Sequence, residues 1–294
     1  MKNNSRLVGT LMLLITAMVW GLAFVFQSQA MDRIGSITLT SIRMLLGGLI
    51  LLPICFVLNR NLDKNTIIQT LKSGVVCGVV LCVATLFQQY GIANTTVEKS
   101  GFISALYIVI VPLLGLFLGR RVSRFTWLCI AIALFGFYLL SFTRDFTVSL
   151  GDMLVFIAAI CYSVHILVID KFNSDSCDGL LMSCVQFLTA GILTVIPMLV
   201  FEHPDAASIW SAKTEILYMG VISCGIGYTF QILGQKRTPP VRASLIMCLE
   251  SVFAALAGFL ILHERLSMRE LAGCILLMTA VFLININPLK GSAK

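Results

Sequence analysis

Residues 87–95, FQQYGIANT, recur 143 residues later as residues 230–238, FQILGQKRT. Outward from this stretch, Gly115 recurs as Gly258 at the same spacing, and Pro53 recurs as Pro197 after 144 residues. Each half contains five apolar stretches. An odd number of spans per repeat places the two halves in opposite orientations across a bilayer, which is the architecture of inverted-repeat secondary transporters. We therefore predict an all-α integral membrane protein with ten transmembrane helices, arranged as two inverted five-helix repeats.

The composition supports the same fold class. The chain has 294 residues, of which 58% are hydrophobic and 12% charged, and its mean hydropathy is +0.96, so a soluble domain is excluded. Apolar runs of about 18 to 24 residues suffice to cross roughly 30 Å of hydrocarbon. We divide the chain into a first repeat, 1–144, and a second, inverted repeat, 145–294. The predicted spans are 7–26, 35–58, 73–91, 101–119, 124–142, 151–169, 179–201, 215–234, 241–262 and 270–287.

The distribution of basic residues predicts the orientation, because Lys and Arg in short connections resist translocation. With both termini in the cytoplasm, fourteen bases face inward and six outward. A multi-pass protein of the cell's inner, cytoplasmic membrane is expected, and the net charge of +7 reflects this topology and anionic lipid rather than nucleic acid. The inner bases are Lys2, Arg6, Arg60, Lys64, Lys72, Arg120, Arg121, Arg124, Lys171, Lys236, Arg237, Arg242, Lys290 and Lys294. The outer bases are Arg33, Lys99, Arg144, Lys213, Arg265 and Arg269.

Several functional classes lack their sequence signals. The chain has no phosphate-binding loop of the G-x-x-x-x-G-K-[ST] type, no G-x-S-x-G nucleophile elbow and no H-E-x-x-H helix. Its ten cysteines form no CxxC pair, so neither a disulfide framework nor a metal site is indicated. We predict no enzyme activity and no cofactor, with transport energy drawn from gradients. A cleavable signal at the N-terminus is the alternative for the first apolar run, but that run exceeds the usual 7–15 residues of such signals.

The second half resembles a known family. Residues 228–285, which begin YTFQILGQKRTPPVRASLIMCLES and include HERL at 263–266, are similar to the signature half of EamA-type carriers of the drug/metabolite transporter superfamily. The first half resembles them through WGLAFVFQSQAM at 20–31 and LTSIRMLLGGLILLP at 39–53. Two positions depart from the pattern: Ser251 follows Glu250 where the family often has proline, and Arg120 stands where it often has Glu. The resemblance implies a central cavity lined by spans one to four and six to nine, with spans five and ten at the periphery.

Two charged residues within spans are the leading candidates for a site. A charge at the centre of a bilayer costs at least about 2.5–3.5 kcal/mol and rarely persists without a role. Of fourteen acidic residues only Glu250 lies near the middle of a span, and Arg43, nine residues into its span from the outer side, is the one base deep inside a span. One interpretation is a structural ion pair. The other is that Glu250 binds a cationic group or a coupling proton while Arg43 holds an anionic group.

Aromatic side chains extend this set of substrate-binding candidates. The repeat spacing makes Tyr107 the equivalent of Glu250, so we expect both to face the cavity at mid-depth; a place in the interfacial belt is the alternative for Tyr107. Trp20, Tyr162 and Tyr228 can stack on a ligand or make cation–π contacts. Packing against lipid or neighbouring helices is the alternative for these three.

Polar side chains within spans form a second layer. Gln88 and Gln231 are equivalent in the repeat and are expected near the outer and inner mouths, where an amide both donates and accepts hydrogen bonds. Helix–helix hydrogen bonds explain them equally well. Gln89 and Gln186 are weaker candidates. His165 is a candidate proton relay, with a hydrogen-bonded packing role as the alternative.

Three prolines lie within or near the ends of spans, namely Pro53, Pro112 and Pro197. Each removes a backbone donor and permits a kink, so we predict hinges for alternating access. Proline tolerated without a moving role is the alternative.

These observations favour a secondary transporter of small polar organic metabolites, with amino acids or related amines as substrates and efflux as the direction. One acid, one base and several amides fit a zwitterion. The expected partners are the small-molecule substrate, the lipid bilayer and a second copy bound through the peripheral helices, with no nucleic acid. The alternatives are a carrier of choline-like amines or drugs and, from another class, a membrane-embedded lipid-modifying enzyme or scaffold.

Overall fold

The computed structural model describes residues 2–95, 97–141, 149–173, 176–261, 263 and 266–286. Across these residues the chain is helical and contains no strand. The elements are α1 Lys2–Met31, α2 Ser36–Leu58, α3 Lys64–Ile92, α4 Val97–Ala105, α5 Tyr107–Phe117, α6 Arg124–Ser141, α7 Leu150–Phe172, α8 Gly179–Phe201, α9 Ala206–Ser211, α10 Lys213–Leu217, a π-helical segment Tyr218–Tyr228, α11 Thr229–Gln235, α12 Pro240–Met247, α13 Glu250–Ile261 and α14 Met268–Ile286. The predicted repeat boundary at 144/145 lies outside the described residues, as do Arg144, Glu264, Arg265, Lys290 and Lys294.

The helices make a multi-pass integral membrane protein. Within the described ranges, nine helical stretches are long and apolar enough to cross a bilayer, and Arg124–Leu140 is a shorter apolar helix. Large apolar side chains point outward, as shown by Phe56, Phe117 and Phe282, which are 79%, 89% and 65% exposed. A surface of this kind is stable only against hydrocarbon.

The structure corrects the start of the third span. The helix begins at Lys64 rather than at residue 73, because Asp63 caps its N-terminus by accepting hydrogen bonds from the backbone of Asn65 and Thr66, both at 3.1 Å. Hydrogen bonds from Thr66 hold the pKa of Asp63 below its usual value. The polar turns that hydropathy excluded from the span therefore continue the same helix. At the first span, α1 runs on to Met31 rather than ending at residue 26.

The fourth and ninth spans are each interrupted. The fourth divides at Leu106, and the ninth divides between α12 and α13 although no proline follows Glu250. In the ninth span the backbone N–H of Leu249 donates to Ile246 O at 3.2 Å, three residues back, which tightens the turn. As a result Tyr107 and Glu250, which the repeat spacing relates, each begin the second half of a broken span.

The eighth span differs from its counterpart in the first half. Eleven of its residues, Tyr218–Tyr228, are π-helical. The positions 143 residues earlier, 75–85, lie in the regular α-helix α3. π-Helical turns are rare and occur frequently at functional sites.

The packing separates one peripheral pair of helices from the rest. α6 packs mainly on α14, where Gly136 and Gly273 let the backbones approach so closely that a Cβ on Gly273 would lie 2.6 Å from Gly136 O. The other long helices pack around the interior: α2 on α8, α3 on α7 and α8, and α1 on the π-helical segment, α11 and α13. This arrangement leaves the centre of the molecule to the latter set.

Ion pairs mark the two ends of the bundle. We call the end where α1 and α3 finish the Met31 end, and the end where α7 and α11 finish the Gln235 end. Three acids at helix ends, Glu215, Asp152 and Asp170, are paired with bases there. Arg33–Glu215 at 3.2 Å and Lys99–Asp152 at 3.8 Å lie at the Met31 end, and Arg120–Asp170 at 2.7 Å lies at the Gln235 end.

Candidate functional site

A cavity of about 800 Å³, including its open mouth, lies at the centre of the helices. No residue of α6 or α14 lines it, in agreement with the peripheral place expected for spans five and ten. The lining residues are Trp20, Ala23, Phe24, Gln27, Arg43, Gln88, Ser104, Tyr107, Tyr162, His165, Ile166, Met219, Ser223, Tyr228, Gln231, Met247 and Glu250.

The cavity brings together the nine leading side chains that the sequence singled out for substrate binding or coupling, but not the weaker candidates Gln89 and Gln186. The three hinge candidates lie apart from it, because Pro53, Pro112 and Pro197 are inside α2, α5 and α8 but do not line it. The nine that line it are Trp20, Arg43, Gln88, Tyr107, Tyr162, His165, Tyr228, Gln231 and Glu250.

The basic and the acidic side chain of the cavity, Arg43 and Glu250, do not pair with each other. Arg43 is 5% exposed and Glu250 is half-buried. Neither forms an ion pair, with nitrogen and oxygen within 4.0 Å, in the described part of the chain. The Nε of Arg43 also has no hydrogen-bond partner in the protein. The structural ion pair considered above is thus absent from this conformation. A cavity that holds one cation and one carboxylate apart can receive a molecule with complementary charges.

Aromatic rings form one wall of the cavity. The Trp20 and Tyr228 rings lie 4.5 Å apart between centroids at 55°, and Phe187 supports Tyr228 edge-on at 5.4 Å. On a neighbouring helix the Tyr162 hydroxyl donates to Gln88 Oε1 at 2.8 Å, which fixes both side chains. The result is a rigid surface for apolar or cationic parts of a ligand.

Two residues that line the cavity each carry a buried donor without an acceptor. The Tyr107 hydroxyl and the Trp20 Nε1 have no hydrogen-bond partner in the protein, and Tyr107 is 8% exposed. A buried polar group left without a partner costs about 1–3 kcal/mol, so such groups usually face a ligand or water. Tyr107 therefore lies in the cavity and not in an interfacial belt.

Three of the other predicted polar residues, His165, Gln186 and Gln89, have identifiable partners. His165 is 1% exposed and its Nε2 shares a hydrogen bond of 3.1 Å with Gln186 Oε1, which is the packing contact considered above. Gln89 accepts a hydrogen bond of 3.1 Å from Gln27 Nε2. Neither Gln186 nor Gln89 lines the cavity.

Sequence reasoning missed several cavity residues. Gln27 lies seven residues after Trp20 on the same face of α1, so helical periodicity offered a signal for it. Ser223 offered none: on an α-helix it would lie about 140° from Tyr228. In a π-helix, with about 4.4 residues per turn, that angle falls to about 50°. Only the π-helical segment allows both side chains to face the cavity.

The cavity opens toward the Met31 end. Gln27 and Gln88, each four residues from the end of its helix, line the mouth and are half-buried. At the opposite limit Gln231 and Met247 are 2% and 1% exposed. The cavity is therefore closed toward the Gln235 end.

Comparison with known proteins agrees with this architecture. The model of the EamA-like transporter family matches residues 7–142 and 149–286. A protein of Archaeoglobus fulgidus described as an uncharacterized transporter is 25% identical over 96% of this chain and 87% of its own. A probable amino-acid metabolite efflux pump of Escherichia coli K12 is 25% identical over 95% of each chain. The threonine/homoserine exporter RhtA of Salmonella typhimurium SL1344 is 29% identical over 52% of this chain and 51% of its own.

A solved structure shares the fold. It is a crystal structure that superposes with a TM-score of 0.80 and covers 97% of each chain at 17% sequence identity. At this identity the likeness concerns the fold alone.

Proposed function

We propose that this chain, which belongs to the EamA-like transporter family, is a secondary carrier that exports small zwitterionic metabolites, amino acids or related amines, by alternating access. Transport itself follows from the family and from the named transporters among the relatives. The substrate class, the direction and the mechanism are the content of the proposal.

One observation carries the substrate class: Arg43 and Glu250 line the same cavity and are not paired with each other. Keeping two unpaired charges in the interior is costly unless a ligand compensates them. A zwitterion does so, with its carboxylate at Arg43 and its ammonium group at Glu250. The Trp20–Tyr228 wall then receives the apolar part of the substrate.

The relatives support amino acids and export. One is named a probable amino-acid metabolite efflux pump and another a threonine/homoserine exporter. For this chain the same class of substrate agrees with the charges of the cavity.

Alternating access is supported by the repeat relation between the two halves of the chain. The family model matches each half once. Helix contacts also come in exchanged pairs: α1 packs on α13 as α7 packs on α4 and α5, and α2 packs on the π-helical segment as α8 packs on α3. We propose two inverted five-helix repeats, 1–144 and 145–294, with ten spans, cytoplasmic termini and a place in the cell's inner membrane. Under this orientation the present conformation opens outward.

A second candidate is a carrier of cationic compounds such as choline-like amines. The tilted Trp20–Tyr228 pair lies in the same cavity as Glu250, and aromatic faces together with a carboxylate bind quaternary ammonium groups. In this case Arg43 would not contact the substrate.

Counterflow in proteoliposomes tests the proposal. Radiolabelled amino acids and quaternary amines would be exchanged by the wild-type protein, by Glu250→Gln and by the control Glu270→Gln. Glu270 is an acid outside the cavity that caps α14 by accepting from Ser267 N at 2.7 Å. We expect saturable exchange of a zwitterion that is lost in Glu250→Gln and kept in Glu270→Gln. Exchange of quaternary amines alone would favour the second candidate, and zwitterion exchange that Glu250→Gln retains would contradict the role of Glu250.

A further inference from the structure

A stripe of amides continues past the closed end of the cavity. Along α11 and its approach, Tyr228, Gln231 and Gln235 are spaced three and four residues apart and so share one face. The first two line the cavity, and Gln231 marks its closed limit. Gln235 lies one turn beyond, in the direction of the Gln235 end.

Two hydrogen bonds join α7 to α11 beyond that limit. Gln235 Nε2 donates to Ile166 O at 3.4 Å, and Asn173 Nδ2 donates to Ile232 O at 2.5 Å. Ile166 itself lines the cavity, and Asn173, seven residues later, is the residue that follows the last turn of α7. On each side one polar side chain thus binds the opposite backbone between the cavity and the Gln235 end.

The amides of this contact are incompletely satisfied. Asn173, Gln231 and Gln235 are 7%, 2% and 3% exposed, and the carbonyl oxygen of each side chain has no partner in the protein. A contact that stayed shut would be more stable with apolar residues, because a buried acceptor without a donor carries a desolvation penalty. Amides are suited to a surface that water reaches for part of the time.

We propose that the second mouth of the pathway opens between α7 and α11, and that Asn173 and Gln235 form the seal that closes it in the present conformation. This inference rests on the alternating access proposed above. When the seal parts, Asn173, Gln231 and Gln235 line the route from the cavity to the Gln235 end.

The opposite end provides a matched comparison. There α1 and α3 are joined by the hydrogen bond from Gln27 to Gln89, and Ile232 is the position 143 residues after Gln89. The repeat thus makes the α1–α3 contact in the first half equivalent to the α7–α11 contact in the second half. A change at Gln27 should act on the Met31 end and leave the α7–α11 seal intact.

Thiol labelling in sealed vesicles tests the seal without any substrate. The probe is Gln231→Cys in a full-length chain whose ten native cysteines are replaced, with correct folding checked by gel filtration and thermal unfolding. A membrane-impermeant maleimide is applied from the side that carries the N-terminus of α1. We compare this chain with versions that also carry Asn173→Ala and Gln235→Ala together, or Gln27→Ala.

The seal predicts that the double change raises the labelling rate from this side by about 5- to 150-fold, the range for losing two side-chain hydrogen bonds. If the double variant does not fold, Gln235→Ala alone should raise the rate by about 2- to 12-fold. Gln27→Ala should not raise it. An unchanged rate, or an equal rise with Gln27→Ala, would overturn the inference. Labelling as predicted in a protein that exchanges no zwitterion would keep the seal and refute only the proposed substrate.

Discussion

The two interrupted spans have the same backbone design but carry different chemistry. α5 begins with Tyr107 and has no acidic residue in its first turn, whereas α13 begins with Glu250 at the equivalent place. Glu250 thus brings a carboxyl group to the cavity. Tyr107 instead supplies a neutral hydroxyl that has no partner in the protein. Repetition of the fold thus provides two equivalent places, and the chain uses one for charge and the other for a hydrogen bond.

The third and eighth spans are also equivalent in the repeat but differ in backbone conformation. α3 is a regular helix, while the π-helical segment turns Ser223 and Tyr228 into the cavity together. The second half therefore contributes the carboxylate, the widened helix and Tyr228, and the first half contributes Arg43, Trp20 and Tyr107. A substrate bound between the halves would meet unlike groups on its two sides.

The largest effect on transport is expected from replacing the carboxylate of Glu250. Replacing Glu250 with Gln removes the group that would bind a substrate cation, and hydrogen bonds to charged groups are among the strongest in proteins. We expect the exchange rate at low substrate concentration to fall by about 10- to 150-fold. Counterflow of a radiolabelled zwitterion measures this change, with Glu270→Gln as the control that should exchange like the wild type.

A somewhat smaller loss of exchange rate is expected from replacing Arg43 in the first half. Arg43→Gln removes the positive charge but keeps N–H donors, so exchange of a zwitterion should weaken by about 10-fold. The conservative variant Arg43→Lys should retain more activity, although a single ammonium group cannot reproduce a two-point contact. The same counterflow assay measures both variants. Equal activity of Arg43→Gln and the wild type would show that Arg43 does not contact the substrate.

Much of this site could be predicted from the sequence. Polar groups within a span are costly in lipid and face the interior, so Glu250, Arg43, Gln88 and Gln231 could be located by their chemistry alone. The repeat spacing then identified Tyr107, which has no such signal of its own. The structure brings all of these residues to one cavity.

The rest required tertiary contacts. The π-helical segment, the break before Glu250 without a following proline, and the polar start of α3 depend on packing and capping that hydropathy does not record. Ser223 was missed for the same reason, because its direction depends on the helix type.

A modest effect is expected at the uncharged equivalent of Glu250. Tyr107→Phe keeps the ring and removes only the hydroxyl, so the apparent affinity for substrate should fall by about 2- to 10-fold, as for one neutral hydrogen bond. Concentration dependence of counterflow measures this change. The matched control is Tyr138→Phe on the peripheral helix α6, which does not line the cavity and should leave the affinity unchanged.

The smallest effects are expected on thermal stability. They concern two contacts between α2 and α8, one at each end of this helix pair. Glu202, which follows α8, accepts from Ile37 N at 2.9 Å and from Thr38 N at 2.7 Å at the start of α2. At the other end Asn59 Nδ2 donates to Asp178 Oδ1 at 3.1 Å. We expect Glu202→Ala to lower the melting temperature by a few degrees, and Asn59→Ala by less, because the carboxylate satisfies two donors at a positive helix end. Thermal unfolding in detergent measures both; a larger loss with Asn59→Ala would contradict this assignment.

The central claim is that opposite charges from the two halves hold the two ends of one substrate. It is tested most directly by counterflow with three matched compounds: an amino acid, the amine that lacks its carboxylate, and the acid that lacks its amino group. We predict that the wild-type protein prefers the amino acid, that Arg43→Gln shifts the preference toward the amine, and that Glu250→Gln shifts it toward the acid. Equal losses of exchange rate for all three compounds in both variants would contradict the claim. The two side chains would then stabilise the structure without binding the charged groups of the substrate.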